Sequence, residues 1–199
     1  MWGVKRTAPL ALANRELLVG AVRALAPPRG LALELGSGSG EHALAMARAV
    51  PWLDWQPSDP EPTARASISA WRAEAHLPNL REPLDLDLLE PAWRRIAADL
   101  LLCVNVLHVA PPAAAAALLD GAAAMPPGAP LVLYGPFLDG PPPPRLIRFD
   151  AELRAADPSL GIRPLAPLLG AATRRGLQLV TRQAGREPGD LLLVFQPAP

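Results

Sequence analysis

Apolar residues recur along this chain in two alternating rhythms, and the switches between them mark its elements. Leu18, Ala21, Val22 and Leu25 share one face at helical spacing, which predicts a helix from about Leu10 to Leu25 that Pro27-Pro28-Arg29-Gly30 stops. The short apolar run Leu31–Leu35 then predicts a buried strand, which runs into Gly36-Ser37-Gly38-Ser39-Gly40. Helical spacing returns over Glu41–Val50 through Ala43, Leu44 and Ala47. Leu53–Pro57 is a second strand closed by Ser58-Asp59-Pro60, and the helix after it carries Ala64, Ile68, Trp71 and Ala75 on one face. Leu84–Asp87 predicts a short third strand, the strongly apolar Asp99–Val106 a fourth, and Pro111–Met125 a helix. Leu131–Tyr134 is the fifth strand, after the turn Pro126-Pro127-Gly128.

The last third is less regular. Phe137–Arg148 reads as a proline-rich loop, followed by helices near Asp150–Ala156 and Leu165–Arg175. Two late strands, Leu177–Gln183 and Leu191–Gln196, are joined by Gly185-Arg186-Glu187-Pro188-Gly189, which favours an antiparallel pair. Strand–helix alternation followed by a hairpin predicts an α/β, Rossmann-like fold. Its seven-stranded sheet is mostly parallel, with an antiparallel C-terminal hairpin and helices on both faces. No repeat or linker divides the sequence, so one domain over residues 1–199 is expected, with 1–30 as an N-terminal helical cover and 137–150 as a proline-rich insertion.

Composition narrows the function classes. Half the residues are hydrophobic and 19% charged, enough to bury a core. Lys+Arg and Asp+Glu each count 19, so no net field attracts a polyanion, and nucleic acid is not the expected partner. The single cysteine, Cys103, lies in an apolar run and reads as a buried core thiol, and no Cys/His cluster predicts a metal. Met1–Arg6 does not resemble a signal peptide, and no segment reaches the roughly 18 apolar residues of a membrane span. A cytoplasmic protein is expected, with the nucleus left open. The 26 prolines, four of them consecutive at Pro141–Pro144, and the alanine run Ala113–Ala117 are compatible with coding bias and carry no functional reading.

The chemistry concentrates where the first strand meets the next helix. Parallel sheets bind ligands at the carboxyl ends of their strands, and glycines there let the backbone turn sharply and approach a ligand. Gly36-Ser37-Gly38-Ser39-Gly40 has G-x-G-x-G spacing, which differs from the dinucleotide G-x-G-x-x-G and disfavours a nicotinamide dehydrogenase. A tight connection alone would use the same glycines. Asp59, at the end of the second strand, is placed to accept hydrogen bonds from ribose hydroxyls, and it equally suits a helix cap before Glu61.

Glu34 two residues before the first glycine makes the segment resemble the E/D-x-G-x-G-x-G motif of class I methyltransferases. In that superfamily the loop wraps the amino-acid part of S-adenosylmethionine (SAM), and the acid helps orient it. A narrower resemblance runs through nearly the whole chain, in order. It is carried by Asn14-Arg15-Glu16, Glu41-His42-Ala43, Trp55-Gln56-Pro57-Ser58-Asp59, Asn105–Pro111, Tyr134-Gly135-Pro136-Phe137, Phe149-Asp150 and Gly161-Ile162-Arg163. These segments resemble the methyltransferase-like 26 group, long filed as a domain of unknown function. Two segments depart from that group: Pro141–Arg148 replaces a Ser-Asn element, and Gly189-Asp190-Leu191 replaces an Asn-Asn-Leu turn.

The resemblance implies a SAM site at Glu34, Gly36, Ser37, Gly38, Gly40, Asp59 and Asn105, with Asp87 near the adenine amino group and Arg15 facing a carboxylate of SAM or acceptor. Asp87 equally suits a solvated turn, and Arg15 a solvated helix position. Methyl transfer depends mainly on holding the reacting groups in line, with a base only where the acceptor must lose a proton. Asn105 and His108 follow the fourth strand and Tyr134 ends the fifth, making them the catalytic candidates. His108 has the ordinary histidine titration range for a base, or packs with its ring bonded to backbone. His42 reads as packing on the glycine loop, His76 as a surface residue, and Trp55 and Trp71 as core aromatics. Two functions remain: methyl transfer to a small molecule or a protein, and SAM binding without turnover.

Overall fold

The computed structural model describes residues 5–198; the Met1–Val4 part of the segment compared with a signal peptide lies outside them. The chain forms two compact units, Met1–Cys103 and Val104–Pro199.

The first unit alternates as expected. Helix α1 (Pro9–Leu25) starts with proline at its first turn, where the missing N–H has no helical partner anyway. Strand β1 (Leu31–Leu35), helix α2 (Glu41–Ala49), strand β2 (Asp54–Ser58) and helix α3 (Pro62–Ala75) follow. A 3₁₀ turn at Pro91–Arg95 leads into strand β3 (Leu100–Val104), which is buried throughout. β1 pairs in parallel with both β2 and β3. This packing fully buries Leu33, Trp55, Leu101 and Leu102. Cys103 is a buried free thiol that burial pushes up to about 12, an inert core group.

The expected third strand at Leu84–Asp87 is not a strand. The backbone there is bridged to β2 at isolated positions, Trp55 to Leu80 and Ser58 to Leu84. Pro83 lacks an N–H and intervenes between them, so a continuous ladder does not form. Buried Asn79 secures this stretch instead: its amide donates to the carbonyls of Ala47 (2.9 Å) and Leu53 (3.0 Å) around the end of α2.

The second unit contains helix α4 (Ala113–Ala123), strand β4 (Leu131–Leu138), helix α5 (Pro144–Ala156), strand β5 (Arg163–Pro164), helix α6 (Leu165–Thr173), and strands β6 (Leu177–Ala184) and β7 (Asp190–Pro197). β4 pairs in parallel with β5 and antiparallel with β7, and β7 pairs antiparallel with β6. Among the described residues, seven strands, mostly parallel and ending in an antiparallel C-terminal hairpin, make this the expected Rossmann-like α/β class; the seventh is β5. The proline-rich loop is shorter than expected, because β4 extends to Leu138 and α5 begins at Pro144. Pro143 caps that helix with φ −64° and ψ 153°, so the prolines lead into a helix whose first turn needs no donor from them.

Candidate active site

The loop after β1 is shaped by its glycines. Gly36, Gly38 and Gly40 have φ of 69°, 54° and 91°, a left-handed region in which a side chain is strained. Gly40 caps α2, and a Cβ there would stand 3.0 Å from the Ile68 Cα, so α3 passes too close for any other residue. Gly38 faces open space. Ser37 stitches the loop to the end of β2: its N–H donates to Ser58 O at 2.8 Å, and its Oγ accepts from Ser58 N at 3.1 Å.

Asp59 ends β2 and closes this arrangement. One carboxylate oxygen accepts from Gly38 N and the other from Glu61 N, both at 2.9 Å. The turn-forming bond ahead of α3 and the contact with the glycine loop are therefore made by the same side chain. Each oxygen keeps a second lone pair for another donor. Glu34 lies beneath, 2% exposed, and accepts from the Trp55 indole N–H at 2.9 Å. Burial pushes its carboxyl up to about 7, against the bonds from Trp55 and Ser37, and the Asp59 charge adds to the rise.

Other candidates separate from this cluster. His42 is buried against α1, its Nε2 2.7 Å from Asn14 Oδ1, and burial pulls it down to about 4. It joins two helices, where packing on the glycine loop was expected. Arg15 is exposed on α1. Asp87 is exposed and accepts from Leu89 N at 2.8 Å, an ordinary turn bond. His76 is an exposed helix cap, and Trp55 is core, as expected. Trp71 is only half-buried and serves the chain's start: its indole N–H donates to Arg6 O at 3.1 Å, and Lys5 lies over its ring.

That start is a strap which sequence reasoning missed. Arg6 N donates to Ser67 Oγ (2.8 Å), which donates onward to Ser39 O in the glycine loop (2.7 Å). Ala8 N donates to Glu41 (2.5 Å), which also accepts from Ser39 Oγ (3.1 Å). The serine and the glutamate have no periodicity that distinguishes them from any polar helix residue.

In the second unit, Asn105 has φ 57°, one of two described non-glycine residues at positive φ; the other is His76. Asparagine tolerates this conformation better than most residues, and such strain is concentrated at functional positions. Its N–H donates to Tyr134 O at 2.8 Å. His108 is buried against Phe149, ring to ring at 5.3 Å, with no hydrogen bond to its ring nitrogens among the described residues. Burial, assisted by the Arg163 charge, pulls it down to about 4, so it is neutral at pH 7. Arg163 is held by carbonyls, including Leu107 O at 3.0 Å. The Tyr134 hydroxyl donates to Asp190 at 3.1 Å, an engagement the sequence did not suggest.

The profile of a family described as "Protein of unknown function (DUF938)" matches residues 5–195. The fold is shared with an O-methyltransferase family protein from Burkholderia thailandensis (TM-score 0.77, 20% identity, 92% of this chain and 56% of that one). It is also shared with human N-acetylserotonin methyltransferase in complex with SAM (TM-score 0.71, 16% identity, 96% and 53%). A third similar structure is CalO1, a methyltransferase of calicheamicin biosynthesis in its S-adenosylhomocysteine-bound form (TM-score 0.69, 18% identity, 92% and 54%). The chain spans little more than half the length of these proteins.

Proposed function

We propose that this chain, which belongs to the DUF938 family of proteins of unknown function, is a SAM-dependent methyltransferase acting on a small molecule or a protein. The observation that carries the reading is the Asp59 carboxylate reaching from the end of β2 to Gly38 N in an open glycine loop. The residues fit the cofactor. Gly36 and Gly38, with Ser37 held between them by Ser58, let the backbone lie close to its amino-acid part, and the spare lone pairs of Asp59 suit ribose hydroxyls. Glu34 acts from below, fixing the loop through Trp55 and Ser37 instead of touching the ligand. For Arg15, Asp87 and Gly40 the reading carries over the contacts the resemblance implies, a carboxylate for Arg15, the adenine amino group for Asp87 and the SAM loop for Gly40, and the compartment it proposes is the cytoplasm.

Bound SAM would supply a methyl group activated on a sulfonium. The chain's own contribution is orientation and proton management. Asn105, held in its unusual conformation, presents an amide that can orient the acceptor. His108 is unprotonated at neutral pH and is the candidate base for an acceptor that must lose a proton, a weak one because burial holds it near 4. SAM binding without turnover is the second reading, favoured by the Tyr134 hydroxyl being engaged with Asp190.

Isothermal titration with SAM and S-adenosylhomocysteine tests the cofactor site. Wild-type protein is expected to bind both, and Asp59→Ala to lose about tenfold or more, since bonds to a charged acceptor are worth about 1.5–3 kcal/mol. A folded wild-type chain that binds neither would discard the reading. Formation of S-adenosylhomocysteine with an acceptor would exclude the second one.

A further inference from the structure

Within the second unit, a cavity of about 540 Å³ opens between the end of β4, the prolines before α5 and the β6–β7 turn. We propose that it is a binding site for a small molecule carrying a planar aromatic ring and a hydrogen-bond donor.

The volume falls in the range of small-molecule sites, about 300–1,000 Å³. Its walls are stiff. Pro141, Pro142 and Pro143 line one side, and Pro143 is in the polyproline conformation whose ring faces pack well on aromatic surfaces. Buried Phe137 lines it too, and its N–H is tied to Gly189 O at 3.0 Å. The hairpin turn is clamped by Gly185 N to Asp190 O (2.7 Å) and Asp190 N to Glu187 O (2.9 Å). A Cβ on Gly185 would stand 2.8 Å from the Tyr134 hydroxyl, and one on Gly189 would collide with Leu146. The cavity is thus preformed, which lowers the ordering cost of binding.

Its polar groups are unequally occupied. Of the three lining acids, Asp139 pairs with Arg182, and Asp190 takes Tyr134 at 3.1 Å and Arg145 at 2.9 Å. Glu187 is half-buried, and its side chain has no hydrogen-bond or ion-pair partner among the described residues. An acceptor-only carboxylate in that position calls for a donor on the ligand. The two segments that depart from the methyltransferase-like 26 pattern meet here: Arg145 from one is paired with Asp190 from the other.

Amide NMR of the full chain with p-cresol, its methyl ether and ring-saturated methylcyclohexanol tests the proposal. Saturable shifts confined to the Phe137–Asp139 and Ala184–Leu191 amides are expected with p-cresol. The other two probes should bind about fivefold more weakly or worse, the worth of one hydrogen bond or ring contact. Glu187→Ala should bring p-cresol to the level of its methyl ether, and Pro142→Ser should weaken the aromatic probes. Absent or unconfined shifts, equal binding of methylcyclohexanol, or an unaffected Glu187→Ala would overturn the proposal. SAM titration of the same samples separates the two readings: p-cresol binding without SAM binding removes the methyltransferase, and SAM binding without p-cresol binding removes the pocket.

Discussion

Glu34 illustrates how one residue's burial becomes a property of the protein. Its carboxyl titrates near 7 in the folded chain against an ordinary 4.5, because burial penalises the charged form. As pH rises from about 4.5, the unfolded chain releases this proton first, so stability falls through that interval and levels off above about 7. Glu34→Gln removes the penalty while its amide oxygen still accepts from Trp55. The variant should gain on wild type by up to about 3 kcal/mol between pH 4.5 and 8, measured by urea denaturation. His42 and His108, both held near 4, act oppositely, costing stability as pH falls below the ordinary histidine value of 6.5. They are common to both proteins and drop out of the difference. A variant whose stability tracks wild type across this range would show that Glu34 is not the titrating group.

At the scale of elements, the strap and the hairpin are held by side chains rather than by periodic packing. Ser67 is fully buried and links Arg6 to Ser39 with one hydroxyl. Ser67→Ala should accelerate hydrogen exchange at the Arg6 amide by about tenfold, the worth of the lost bonds, while the α2 amides change little. Unchanged exchange would mean that Glu41 alone holds the strap. The elements themselves were legible where apolar spacing repeats over several turns, as in α1, or runs unbroken, as in β3. Leu84–Asp87 misled because alternation alone marks a strand, whereas pairing also needs an N–H at every second position: Arg81 N donates to Trp55 O, and Pro83, next in turn, has none. The proline run misled in the other direction, since prolines exclude a helix interior but suit its first turn.

For the whole molecule, 19 basic and 19 acidic residues give a net charge near zero at neutrality and an isoelectric point near 6.8. Mutual repulsion between copies is then weakest, so solubility should pass through a minimum near pH 6.8 and rise on either side. A profile flat from pH 6 to 9 would argue that local charge patches dominate. Among the described residues no helix is long and apolar enough to cross a membrane.

The sequence by itself determined the α/β class and the place of the glycine loop. Each follows from local order: hydrophobic spacing fixes the elements, and a loop between strand and helix must lie at a strand's carboxyl end. Tertiary structure alone decided which polar groups are spent and which remain available. It buried Glu34 under the loop, tied His42 to Asn14, committed Tyr134 to Asp190, and left the His108 ring nitrogens and the Glu187 carboxylate without hydrogen-bond partners among the described residues. These partners lie 21 to 56 residues apart along the chain, and no local spacing relates them until folding brings their strands and helices together.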